Sequence, residues 1–90
     1  MEFDWDAANL GHIARHGVTR DEAEQAIQND PLDLGTEVIK GERRDLSLGA
    51  TKSGRVLQFV TTMRGERVRV VTAFPASRRL CDVYFKKKGM

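Results

Sequence analysis

The hydrophobic period changes from helical to alternating near residue 34, and that change limits the folds open to this chain. Before it, apolar residues recur at helical spacing: Leu10, Ile13 and Ala14, then Ala23, Ala26 and Ile27. After it the period is two. Leu46 and Leu48 alternate with Asp45 and Ser47, and Val68 and Val70 with Arg67 and Arg69. Val56-Leu57-Gln58-Phe59-Val60 is a denser apolar run, suited to a central strand covered on both faces. A chain that is helical first and alternating later points to α+β and excludes a bundle or a repeat.

Local signals sharpen the elements. Asp6 can cap a helix over Ala7–His16, and Gly17 can end it. Thr19 with Glu22 fits a capping box, and Val18 with Ala23 a hydrophobic staple, opening a second helix that runs to about Asn29. Asp30-Pro31 stops that helix. Thr51-Lys52-Ser53-Gly54 and Arg64-Gly65-Glu66 read as hairpin turns, with Gly41 at the turn after a strand over Leu34–Ile39. Phe3-Asp4-Trp5 reads as a short strand or an apolar plug. Ser77 can cap a third helix through about Lys87, with Leu80, Val83 and Tyr84 toward the sheet. The expected architecture is two N-terminal helices, an antiparallel sheet of three to four strands and a C-terminal helix. With 90 residues, positions 1–90 make a single domain.

Composition excludes several classes. At 40% hydrophobic and 31% charged residues the chain is too apolar for a disordered segment. No apolar run reaches the roughly 18–20 residues of a membrane span, and the acidic start Met1-Glu2-Phe3-Asp4 is unlike a signal peptide. Cys81 is the only cysteine, so no internal disulfide forms and a cytoplasmic location is expected. The net charge of +2 hides a segregation. Residues 1–37 carry two basic and nine acidic side chains, net −7; residues 38–90 carry thirteen and four, net +9. A basic second half suits a polyanion such as RNA, an acidic partner, or attraction between the two halves.

The chemistry-bearing residues are mostly arginines. Arg67 and Arg69 alternate on one strand, Arg43 opens another, Arg64 sits at a turn, and Arg78 and Arg79 begin the last helix. Gathered on one surface, they could grip phosphate through paired hydrogen bonds at any working pH. The opposite reading is a strand face neutralised by carboxylates. His12 and His16 share a helical face, but no third ligand stands at metal-like spacing, so no metal or other cofactor is expected. Neither a nucleophile elbow nor a phosphate loop is present.

The ordered motifs resemble the BrnT family of type II toxins, within the wider RelE-like ribonuclease fold. They are Phe3-Asp4-Trp5-Asp6, Asn9, His12-Ile13-Ala14-Arg15-His16-Gly17-Val18, the helix from Thr19 to Asn29, and Asp30-Pro31. Gly41-Glu42-Arg43, Gly49, Arg64, Val68-Arg69-Val70-Val71-Thr72-Ala73, Ser77-Arg78-Arg79 and Tyr84 follow. The resemblance implies a metal-independent endoribonuclease that inhibits translation. It also implies an antitoxin partner in a heteromeric complex, usually a ribbon-helix-helix DNA-binding protein. On that basis Arg43, Arg69 and Arg78 are expected at the scissile phosphate, Arg64, Arg67 and Arg79 as further RNA contacts, and His16 and Tyr84 as proton-transfer groups. The chain departs from the family pattern in two places. Phe74 stands where an arginine is common after the Ala73 position, and Leu80-Cys81-Asp82 where Glu-Arg-Arg is common. The alternative is a non-catalytic relative that binds RNA or a protein through the same basic surface.

Overall fold

A computed structural model describes residues 1–89. The elements are β1 (Glu2–Phe3), α1 (Ala7–Arg15), α2 (Arg20–Gln28), β2 (Leu32–Ile39), β3 (Glu42–Ala50), β4 (Val56–Arg64), β5 (Arg67–Pro75) and α3 (Arg78–Lys87). The α+β class and the three helices agree with the sequence reading; the sheet does not. It has five strands in the order β1-β5-β4-β3-β2, and β1 runs parallel to β5. The expected sheet of three to four antiparallel strands is therefore corrected to a mixed one. Phe3 is the reason. Glu2 and Phe3 lie beside Arg67 and Val68, and the Asp4 N–H donates to the Val68 carbonyl (2.8 Å). That pairing spans most of the chain, so no local pattern announces it.

The helix starts follow their caps. Asp6 accepts from the Asn9 N–H, and the Thr19–Glu22 capping box is complete in both directions. Ser77 accepts from the Leu80 N–H and opens α3. Lys40 and Gly41 both have positive φ between the paired Ile39 and Glu42, which makes a two-residue hairpin whose twist suits the strands.

The sheet separates two cores. On one face, α1 and α2 bury Ile13, Val18, Ala23, Ala26 and Ile27 against Leu57, Phe59, Val70 and Ala73. On the other, α3 covers Leu48, Ala50 and Val56 with Tyr84, Leu80 and Phe85. Gly49 sets the approach of α2: a Cβ there would lie 2.3 Å from the Ala26 carbonyl oxygen. The helix backbone rests directly on β3, which only glycine permits. Ion pairs join the oppositely charged halves, among them Arg55–Glu22 at 3.0 Å, Arg69–Asp6 at 2.9 Å and Lys88–Asp30 at 3.0 Å.

Candidate functional site

Residues directly opposite one another in a sheet share a face, so the register sorts the arginines. Asp45 lies beside Thr61, and Thr61 beside Val70, which is buried under α1. Arg43 is two residues from Asp45 and so shares this helical-pair side. It is exposed there and ion-paired to Asp45 at 3.4 Å. Arg64 lies beside Arg67, and Thr62 beside Arg69, on the other face. The arginines do not all gather on one surface. Arg43 projects to the opposite side of the sheet from Arg64, Arg67 and Arg69, while Arg78 and Arg79 stand exposed in the first turn of α3.

Arg44 is the arginine that the spacing missed. It alternates with Arg43, and continuing the β3–β4 register places it beside Thr62, in the row that ends at Arg69. Its Nε is buried without a hydrogen-bond partner and lies 3.8 Å from Glu42, too far for a hydrogen bond. The Thr62 hydroxyl donates to the Arg43 carbonyl (2.8 Å), which pins the centre of this row.

Arg69 is the most enclosed of these cations, with 15% of its side chain exposed. Its Nη2 meets Asp6 Oδ2 at 2.9 Å and its Nη1 meets Asp4 Oδ2 at 3.6 Å. The Asp6 carboxyl accepts first from the Asn9 N–H and then from Arg69, and both hold it below the ordinary aspartate range. One carboxylate thus caps α1 and neutralises part of the basic face. Arg67 is likewise paired with Glu2, at 3.4 Å. Arg64, Arg78 and Arg79 have no carboxylate partner among the described residues.

α1 runs along the outer edge of β5. Asn9 Nδ2 donates to the Val70 carbonyl (3.0 Å), His12 Nε2 lies 2.9 Å from the Thr72 hydroxyl, and the His16 ring packs on Phe74 with centroids 5.8 Å apart. The two imidazoles themselves meet edge to face at 5.3 Å. Thr72 lies beside Val60, next along this face from the Thr62–Arg69 pair; the extra residue Val71 is absorbed by a bulge between the two. Of the two histidines, His12 is the one built onto the strand, and its contact could not be read from helical spacing.

Tyr84 lies elsewhere. It is 2% exposed, enclosed by Leu48, Ala50 and Val56 beneath α3. Its position makes it a packing residue, not a member of the open face. A surface hollow lies against α2, lined by Asp21, Glu24, Gln25, Gln28, Asn29 and Lys52, a set whose carboxylates repel phosphate. Among the described residues, no three His, Cys, Asp or Glu side chains gather as a metal site. No helix among them is long and apolar enough to cross a membrane.

A family model described as the ribonuclease toxin, BrnT, of type II toxin-antitoxin systems matches residues 5–79. The chain belongs to the BrnT family. No curated protein matches it. The BrnT match runs from Trp5, just before α1, to Arg79 at the start of α3, so it covers α1, α2 and β2–β5 but not β1 or most of α3. Membership makes the chain a ribonuclease toxin with an RNA target and an antitoxin partner. The sheet face away from α1 and α2 holds most of the strand arginines. It presents Arg44, Arg64, Arg67 and Arg69 with His12 at its margin.

Proposed function

We propose that this chain is a metal-independent endoribonuclease of RelE-like fold that arrests translation by cutting RNA. We further propose that its antitoxin is a ribbon-helix-helix DNA-binding protein that covers the same basic face. The observation that carries the reading is the coincidence, on one open sheet face, of the Arg44–Thr62–Arg69 row with the His12–Thr72 pair. Cleavage without a metal needs three things. A base takes the 2′-hydroxyl proton, fixed cations meet the charge that grows on the phosphorane, and an acid protonates the leaving 5′-oxygen.

Guanidinium is too weak an acid to exchange protons near neutrality, so Arg69 and Arg44 act as the electrostatic clamp. Arg64 and Arg67 extend that clamp along the RNA backbone, and Arg78 and Arg79 offer it charge from α3. Imidazole titrates close to neutral pH, which suits His12 and His16 to proton transfer. Arg43 and Tyr84 fall outside the proposed set, because one projects to the far side of the sheet and the other is enclosed. Asp4 and Asp6 hold Arg69 in place until phosphate competes for it.

The test is cleavage of RNA by the purified chain in excess chelator, with growth arrest on expression as the cellular counterpart. Native protein cuts RNA under these conditions. Arg69→Ala and His12→Ala remain folded and lose cleavage by about a hundredfold or more, the scale of one electrostatic or proton-transfer group, while Tyr84→Phe cuts normally. A native protein that leaves RNA intact and is harmless on expression would sink the nuclease reading. It would favour instead a non-catalytic binding module, for which Phe74 at a position commonly arginine in the family is the supporting observation.

A further inference from the structure

Phe74 is a large apolar side chain that neither core uses. It lies on β5 directly beside Gln58, whose other neighbour, Leu48, is sealed beneath α3. Leu48 is covered, yet Phe74 belongs to neither buried cluster and is only partly buried. Its one aromatic neighbour among the described residues is His16, exposed at the C-cap of α1, at 5.8 Å and a tilt of 55°. The Gln58 amide makes no hydrogen bond to the described residues. A partly buried ring on a sheet face, an imidazole tilted against it and an amide beside it on the neighbouring strand are elements with which proteins take up an unstacked base.

We propose that Phe74, His16 and Gln58 form a nucleobase subsite, in which one base of single-stranded RNA stacks on the Phe74 ring and presents its edge to the Gln58 amide. This rests on the ribonuclease reading given above, and it adds the contact that selects sequence. Charge argues for RNA as the occupant. The ring stands on the same face as Arg69 and Arg44, and Arg78 and Arg79 follow it by four and five residues with no carboxylate partner among the described residues. The subsite also gives the Phe74 departure a role. An arginine at this position would add one more phosphate contact, whereas phenylalanine exchanges that charge for a π-face that discriminates among bases.

The experiment is fluorescence-anisotropy titration of the full chain with labelled single-stranded oligoadenylate and oligouridylate made non-cleavable by 2′-O-methylation. Native protein binds both, the adenylate more tightly, because a purine offers the larger stacking surface. Phe74→Leu keeps an apolar side chain but loses the ring. It weakens oligoadenylate binding by roughly 5- to 100-fold, the range for one stacked base, and narrows the gap between the two sequences. Phe74→Trp keeps the ring: it retains binding, and RNA quenches its added indole emission beyond any change in native protein, which carries only Trp5. Gln58→Leu shifts the preference between the two sequences with less effect on the tighter affinity. Equal binding by native protein and Phe74→Leu overturns the subsite while leaving the nuclease reading intact, and assigns the partly buried ring to a protein partner. Absence of RNA binding by the native chain overturns both.

Discussion

Replacing Gly49 by alanine tests the packing on which the whole arrangement rests. The added Cβ would lie 2.3 Å from the Ala26 carbonyl oxygen, 2.9 Å from the Ala26 carbonyl carbon and 3.0 Å from the Phe59 ring. Ordinary contact begins at 3.4 Å, so α2 and β3 must part by roughly 1.1 Å along that line. No rotamer change relieves the clash, because the nearest atoms are backbone. A gap of that size forfeits a quarter to a half of the dispersion energy of the atoms facing it. The atoms concerned belong to Ala23, Ala26 and Ile27, all buried. Overpacking costs about 1–3 kcal/mol, and a backbone clash belongs at the upper end. For a domain of this size about 3 kcal/mol lowers the midpoint of thermal unfolding by roughly 12–24 °C.

Gly11→Ala is the matched control. Gly11 lies inside α1, and nothing stands within 4 Å of the point a Cβ would occupy. Alanine there stabilises by about 0.8–1.0 kcal/mol through helix propensity alone. Thermal unfolding followed by circular dichroism reads both variants. A Gly49→Ala protein within about 0.5 kcal/mol of native would refute the close seating of α2 on β3, since that is the scatter of neutral surface changes.

Two further outcomes follow from the ion pairs. Asp6→Asn keeps a competent helix cap but removes one of the two negative charges on Arg69. RNA then binds more tightly, with steeper salt dependence, in the same anisotropy titration; unchanged binding would show that Arg69 takes no part. Glu22 is held below the ordinary 4.5 of a glutamate, first by the Thr19 N–H and then by Arg55. Because its folded pKa is depressed, its contribution is fully present above the unfolded value and disappears as pH falls through the folded one. Urea midpoints compared at about pH 6 and about pH 3, chosen to bracket a carboxylate titration, therefore fall further for native protein than for Glu22→Gln. Equal falls would contradict the pairing.

Elements governed by short-range chemistry were legible from the order of residues. The Thr19–Glu22 box, the Asp6 and Ser77 caps and the hairpin glycines each act within a few residues, and each stands where the sequence places it. Membership in the family was legible too, in the order of its motifs. The arginines were legible as a set, but their sides were not. Neighbouring strand residues point to opposite faces, so choosing between Arg43 and Arg44 requires the pairing register, and a slip of one residue reverses the answer. Register also hid the relation of Arg69 to Thr72, since a bulge at Val71 intervenes.

What the amino-acid order settled alone was the α+β class, the three helices with their caps, the hairpin turns, and the excess of positive charge in the second half. Which cations share a surface, which are already answered by Asp4, Asp6 and Glu2, and why Phe74 lies outside both cores were decided only by the folded chain. The reason is range. Caps and turns are closed by atoms a few bonds apart, whereas a face is made by residues about sixty positions apart, such as His12 with Thr72 and Asp6 with Arg69, that meet only once the sheet is assembled.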